Sequence, residues 1–258
     1  MTSYEVSGCI VTYNNMTTIQ KTLDTLFEQT VGLNFKLYIV DNASTDSTVD
    51  FIKENYVGKY NVEVIETGKN KGFGSGHNVV LDMLTSKYHV IINPDIELKE
   101  NAILKMASYM DEHEETGLLS PKICFPDGRL QILGKRNPRI KYLIASRLRD
   151  EKNPSKLLRE YAMLDKDMTK PFEIQNATGC FMMLRTELFK KIGGFDENYF
   201  MYFEDCDITR TVRKTHKAVF YPDAVVCHVW GRESKKNNKL RVIQIKSMFY
   251  YFRKWGIK

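Results

Sequence analysis

Val6-Ser7-Gly8-Cys9-Ile10-Val11-Thr12-Tyr13 is a short apolar run rich in β-branched residues, the pattern of a buried strand. Directly after it, Met16–Gln29 carries Ile19, Leu23, Leu26 and Phe27 at helical spacing. The pair then repeats. Residues 36–40 read as a second strand ending at Asp41, and Ser44, Thr45 and Asp46 offer N-caps for a helix through Phe51 and Ile52. Val62–Glu66 is a third strand. A glycine-rich turn at 72–76 precedes a helix containing Val79, Val80 and Leu84, and 89–92 is a fourth strand closing on Asn93-Pro94-Asp95. This alternation predicts right-handed βαβ crossovers and an α/β fold with a mostly parallel central sheet and helices on both faces.

In such a sheet, ligands bind beyond the carboxyl ends of the strands. Three polar clusters fall there, at 12–15, 41–46 and 93–95, so one shared site is expected. Asp41 can accept hydrogen bonds from a base imide or a ribose hydroxyl, while Ser44 and Asp46 serve equally well as helix caps. A carboxylate at Asp95 can hold a divalent cation bridging a diphosphate. Asn-Pro-Asp is also ordinary turn chemistry. Gly72-Phe73-Gly74-Ser75-Gly76 resembles a phosphate-cradling loop, but it lacks the Lys-Ser/Thr ending of a Walker sequence and the spacing of a dinucleotide fingerprint.

The second half is less regular. Residues 118–123 and 180–184 look like strands, and the charged stretch 135–170, helical around 155–163, reads as a flexible insertion. Tyr202-Phe203-Glu204-Asp205-Cys206-Asp207 sets three acids among apolar neighbours. Partial burial raises a carboxyl pKa towards general-base values, and a helix start accounts for one or two of these acids by itself. His228 closes the apolar run 224–227, where a strand-end imidazole is a metal ligand or a structural ring.

The 258 residues are 43% hydrophobic and 27% charged, enough to bury a core. No run reaches the roughly 18 apolar residues that span a bilayer. The N-terminus lacks the basic and apolar regions of a signal peptide. Cys9, Cys124, Cys180, Cys206 and Cys227 form no Cys-x-x-Cys pair, so reduced, buried thiols are expected rather than disulfides or a zinc knuckle.

The net charge of +6 is uneven. From Arg232 to Lys258, nine Lys/Arg oppose Glu233 alone, a balance of +8 that leaves −2 for residues 1–231. A second basic run holds nine Lys/Arg between Lys135 and Arg159. Such clusters suit phosphates, nucleic acid or an anionic membrane face. No nucleic-acid module is recognised, so nucleic acid is not an expected partner. Residues 235–258 predict a basic amphipathic helix with Ile243, Ile245, Met248, Phe249, Phe252 and Trp255 on its apolar side. That side can lie on anionic lipid, pack on the core or form a homodimer contact.

Taken together, Ile10-Val11-Thr12-Tyr13-Asn14, Val40-Asp41-Asn42-Ala43-Ser44-Thr45-Asp46, Asn70-Lys71-Gly72-Phe73-Gly74, Ile92-Asn93-Pro94-Asp95, Gly179-Cys180-Phe181-Met182-Met183-Leu184-Arg185, Gly193-Gly194-Phe195-Asp196-Glu197, Phe200-Met201-Tyr202-Phe203-Glu204-Asp205-Cys206-Asp207 and His228 follow one another in an order that resembles family 2 glycosyltransferases of GT-A fold, especially the bacterial rhamnosyltransferase branch. The resemblance covers residues 5–234. It implies a Rossmann-like, nucleotide-sugar-binding catalytic domain over 1–234. Residues 1–98 would form its nucleotide half and 99–234 its acceptor half, with 235–258 as an extension.

The resemblance also implies roles. Thr12, Tyr13 and Asp41 would line the nucleoside pocket, with Asn14 and Asn42 in the same clusters. Asn70, Gly72 and Asn78 would lie in the loop against nucleotide and sugar. Asp95 would be the surviving acid of the family's Asp-x-Asp metal motif, with Asn93 in place of the first, and His228 the later residue contacting metal or diphosphate. Asp205 would be the base, Glu204 would stand beside it, and Gly179 and Cys180 would flank sugar and acceptor.

The implied reaction is an inverting, Mg²⁺- or Mn²⁺-dependent transfer of L-rhamnose from dTDP-L-rhamnose. The acceptor would be a hydroxyl of a lipid-diphosphate-linked or growing cell-surface glycan. The implied location is cytoplasmic, peripheral on the inner face of the plasma membrane. A UDP-hexose or UDP-N-acetylhexosamine donor is the first alternative. A nucleotidyltransferase is another, although Val11-Thr12-Tyr13-Asn14 stands where its basic glycine-rich signature would be. A non-catalytic nucleotide-sugar-binding subunit is the third, opposed by the intact Asp95, Asp205 and His228.

Overall fold

The computed structural model describes residues 5–229 and 237–257. The rest, including 230–236 at the start of the predicted C-terminal segment, lie outside the described residues. The first expected units are present: β1 (Val6–Thr12), α1 (Met16–Gln29), β2 (Phe35–Asp41), α2 (Thr48–Asn55), β3 (Val62–Glu66) and β4 (Tyr88–Ile92). Every residue of β1 is buried, because parallel neighbours flank it on both sides and helices cover both faces. Alternation then splits its side chains. Val6 and Ile10 face the core under α1 and α4 (Ala102–Glu112), while Cys9 and Val11 face the opposite core.

The glycine-rich stretch differs from expectation. It is not a turn before a helix but the helix itself, α3 (Phe73–Asn78). Its glycines permit close packing: a Cβ at Gly74 would lie 2.8 Å from Phe195, and one at Gly76 would lie 2.7 Å from Val11. The predicted helix through Val79, Val80 and Leu84 shrinks to a single 3₁₀ turn, Leu81–Met83.

The sheet order is β3-β2-β1-β4-β8-β6-β9-β5, with β7 (Phe172–Glu173) beside β9. From β3 to β4 it is wholly parallel. Beyond β4 it is mixed. The strand β8 (Phe181–Arg185) is antiparallel to β4 and to β6 (Thr116–Cys124), β9 (Lys217–His228) is parallel to β6, and β5 (Ile96–Lys99) is antiparallel to β9. The helices α7 (Thr186–Lys191) and α8 (Glu204–Val212) cover one face of this half.

The insertion carries α5 (Ile140–Arg147) and α6 (Lys156–Tyr161) around a small core of Ile132, Tyr142, Ala145, Leu158, Tyr161 and Ala162. The last helix, α9 (Asn238–Trp255), docks on α8 through Tyr251 and Phe252 and on the segment before it through Ser247, which donates to the Met201 carbonyl. Its predicted apolar side is therefore divided. Met248, Phe252 and Trp255 pack inward, whereas Ile245 and Phe249 point outward. Among the described residues no helix is long and apolar enough to cross a membrane. All five cysteines are buried and unbridged.

Candidate active site

Parallel register sets Thr12 opposite Asp41 at the carboxyl ends of β1 and β2. Both are buried, so their polar groups require partners. Thr12 Oγ1 donates to Asp41 Oδ1 at 3.0 Å, and the Ser44 N–H donates to Asp41 Oδ2 at 2.9 Å. Asn14 Oδ1 accepts from the Thr45 N–H at 2.7 Å, fixing the two strand-end loops to each other. Asn42 Nδ2 donates to the Gly72 carbonyl at 3.0 Å, and Asn70 Oδ1 accepts from the Gly72 N–H at 2.9 Å. Gly72 has φ 97°, and a Cβ there would lie 2.0 Å from the Phe200 carbonyl oxygen, so no other residue fits. Tyr13 remains half exposed at the edge of this cluster. Thr12, Tyr13, Asn14, Asp41, Asn42, Asn70 and Gly72 thus form one connected patch. Asn78 stands apart: its amide bonds both backbone groups of Phe195 at 2.8 Å and braces the turn after Gly194.

Asp95 follows β4 and leads into β5, whose antiparallel pairing sets Ile96 opposite His228. Asp95 Oδ2 therefore lies 3.4 Å from His228 Nε2, and Asp95 Oδ1 is buried with no hydrogen-bond partner. The other ring nitrogen, Nδ1, lies 3.3 Å from Gln131 Oε1, while Gln131 Nε2 donates to the His228 carbonyl at 2.7 Å. This amide holds the ring with Nδ1–H towards Gln131 and Nε2 towards Asp95. Burial pulls the His228 pKa down, but the Cys180 thiol and the Asp95 carboxylate beside it more than offset this and raise it to about 10. Among the described residues no group of three or more His, Cys, Asp or Glu could hold a metal. An orphaned carboxylate oxygen beside an imidazole nitrogen nevertheless fits a divalent cation that displaces the Nε2 proton and takes its remaining ligands from phosphate oxygens. Gln131 gave no sequence signal, since it lies between elements without periodicity.

Gly179 and Cys180 join this pair to the acidic segment. The Asn93 N–H donates to the Cys180 carbonyl at 2.8 Å, and the Gly179 N–H donates to Asp205 Oδ2 at 3.1 Å. Asp205 Oδ1 accepts from the Cys206 N–H at 2.8 Å. The chain enters α8 through two left-handed residues, Tyr202 (φ 72°) and Phe203 (φ 68°), each a strain of about 1–3 kcal/mol. Packing of Phe203 against Tyr251 holds the bend.

The three acids then separate in character. Glu204 is buried, its Oε2 has no partner, and burial together with the Asp205 charge raises its pKa to about 8. Burial also raises Asp205, but two backbone N–H groups oppose the shift by favouring its ionised form. The Gly179 and Cys206 N–H groups thus favour the ionised form of Asp205, while nothing bonds Glu204 Oε2, so of the two Asp205 is the better placed to carry the charge. Asp207 is structural: it accepts from Trp255 Nε1 at 2.6 Å and from Lys254 Nζ at 2.9 Å, fastening α9 to α8. Lys254 also meets Asp196 at 2.7 Å.

With this geometry in place, comparison with known proteins is informative. The family model described as glycosyl transferase family 2 matches residues 7–193. An N-acetylglucosaminyl-diphospho-decaprenol L-rhamnosyltransferase of Mycobacterium tuberculosis is 26% identical over 205 residues, covering 74% of this chain and 65% of that protein. The poly(ribitol-phosphate) beta-N-acetylglucosaminyltransferase TarS of Staphylococcus aureus is 28% identical over 175 residues, covering 66% of this chain and 30% of TarS. The chain thus spans less than two thirds of the length of both relatives. The solved structure of S. aureus TarS in complex with UDP superposes with a TM-score of 0.62 at 20% identity, over 94% of this chain and 65% of that one. A mannosyltransferase from Pyrobaculum calidifontis, solved with GDP-Man and Mn²⁺, gives 0.60 at 18% identity, over 88% and 57%. At these identities the superpositions establish the GT-A architecture and nothing finer.

Proposed function

The chain belongs to glycosyl transferase family 2, and on that premise we propose that it is an inverting, nucleotide-sugar-dependent glycosyltransferase with Asp205 as its base. The supporting observation is the asymmetric acid pair: Glu204, whose pKa burial and the Asp205 charge raise, beside an Asp205 whose ionised form the Gly179 and Cys206 N–H groups favour. The Asp205 carboxylate takes the proton of an acceptor hydroxyl while that oxygen bonds to the anomeric carbon. The bond from that carbon to the diphosphate breaks, and the nucleoside diphosphate leaves with the electron pair. Thr12, Asp41 and their tethered loops hold the nucleoside, and the Asn42–Gly72 bond sets the distance between that pocket and α3. Asp95 and His228 would hold Mg²⁺ or Mn²⁺, which when bound supplies positive charge at the diphosphate oxygens. Gln131 keeps the imidazole turned towards that position.

The donor proposed is dTDP-L-rhamnose, supported by the rhamnosyltransferase relative and by Asn93 in place of a second acid. A UDP-N-acetylhexosamine or UDP-hexose is the second reading, supported by the TarS relative. The acceptor proposed is a lipid-diphosphate-linked or growing cell-surface glycan, met at the cytoplasmic face of the plasma membrane with 235–258 towards the lipid. The test is incubation with Mn²⁺, a polyprenyl-diphosphate-linked N-acetylglucosamine and a panel of nucleotide-sugars. One donor is expected to be consumed, to raise the melting temperature and to give a glycoside of inverted anomeric configuration by NMR. A retained configuration would exclude the displacement described, and stabilisation by a donor without transfer would favour a binding subunit.

A further inference from the structure

The outward faces of α5 and α9 are apolar where a solvated helix is ordinarily polar. On α5, Tyr142 and Ala145 point inward, leaving Ile140, Ile144 and the following Leu148 on the exposed side at four-residue spacing. Leu148 is 78% exposed. On α9, Ser247, Tyr251 and Phe252 point inward, leaving Val242, Ile245 and Phe249 exposed, the last at 67%. The two helices are neighbours, since Leu143 of α5 packs into the cluster that holds Tyr251 and Phe252 of α9.

Charge indicates what covers these stripes. Lys141 and Arg147 are exposed on the same side of α5, and Lys239, Lys246 and Arg253 on that of α9. Neither Ile140–Arg147 nor Asn238–Trp255 contains an acidic residue. Acids lie only at the border, where Glu160 pairs with Lys141 and Asp150 follows Leu148, so cations remain in excess around the apolar side chains, as at the acyl–headgroup boundary of an anionic bilayer.

We propose that α5 and α9 together form a docking surface for anionic phospholipid, with Ile144, Leu148 and Phe249 entering the acyl boundary and the lysines and arginines meeting headgroup phosphates. The same cluster contains Phe203 and Cys206 of the segment that carries Asp205, so docking sets that segment close to the membrane. This deepens the membrane placement of 235–258 proposed above by adding α5 and naming the lipid class, and vesicle binding can be read without the transfer reaction.

The test is flotation of the full chain with vesicles of mixed phosphatidylglycerol and phosphatidylcholine, and with phosphatidylcholine alone. The wild type is expected to float with the anionic vesicles and to be largely released by about 0.5 M NaCl, where charge screening is strong. An Ile144→Glu, Leu148→Glu double variant and a Phe249→Glu variant should each lower binding about tenfold or more, because each puts an anion into the buried stripe. These positions are exposed, so melting temperatures and nucleotide-induced stabilisation should be unchanged, which separates this idea from the enzymatic reading. The proposal is overturned if the wild type fails to float or if the α5 variant floats like the wild type. It is also overturned if sedimentation velocity finds a dimer that these substitutions dissociate while no vesicle binding occurs, since the surface would then meet a second copy.

Discussion

The two halves of the sheet build their contributions to the site in different ways. In the half from β3 to β4, parallel register aligns the strand ends, so Thr12 and Asp41 meet because each is the last residue of its strand. In the other half, Asp95 meets His228 because β5 turns back along β9, and Asp205 is held by the N–H of Gly179, which precedes β8. Parallel strands collect a pocket from local sequence. Antiparallel returns collect it from partners that only the pairing reveals. Under the function proposed, the first half would hold the donor, and the second half would bear the proton and the diphosphate charge.

Replacing Asp205 tests this division most severely. Asp205→Asn should lower kcat by about 10²–10⁴-fold, the usual contribution of a general base, while donor binding by calorimetry stays near wild type. In the wild type the active form is the ionised carboxylate, so kcat/KM should be full above the Asp205 pKa and fall as pH drops through it. Because burial raises that pKa, the acidic limb should lie above the usual aspartate range. Near-normal turnover in Asp205→Asn would move the chemistry out of this half.

A smaller effect is expected at the histidine and its amide. Gln131→Leu should weaken Mn²⁺ binding about 10–100-fold in the presence of nucleoside diphosphate, measured by paramagnetic resonance, and His228→Ala should weaken it at least as much. Equal affinity in all three proteins would remove the cation from this position. The smallest effect belongs to the parallel half. Asn42→Ala leaves the Gly72 carbonyl without its partner and should cost about 1–2 kcal/mol in urea unfolding, raising the donor KM with little change in kcat. A fall in kcat comparable to that of Asp205→Asn would erase the contrast between the halves.

This contrast also explains what could be read from sequence. The β1–α1–β2 succession was legible because a fully buried strand and a one-sided helix leave opposite periodicities, and the ends of β1 and β2 came with it. The glycine-rich segment was misread because Gly72-Phe73-Gly74-Ser75-Gly76 has the composition of a loop. Its glycines answer to Phe200, Phe195 and Val11, which are distant in sequence. The strand β5 was missed because four residues carry too little pattern, so Asp95 and His228 were linked only through the family resemblance and the role of Gln131 was not seen. Glu204 and Asp205 were found by their residue types, but the difference between their surroundings depends on which of them the Gly179 N–H reaches.

The left-handed pair Tyr202-Phe203 has a consequence for engineering. Glycine would relieve the backbone strain at both positions, a gain of about 1–3 kcal/mol each. Glycine at 203 would also delete the ring that meets Tyr251, loosening the joint between the helix that carries Asp205 and the helix that covers it. Losing that nearly buried ring costs about 3–5 kcal/mol, more than the strain returns, so a selection for melting temperature should keep Phe203 and with it the bend that leads into the Asp205 helix.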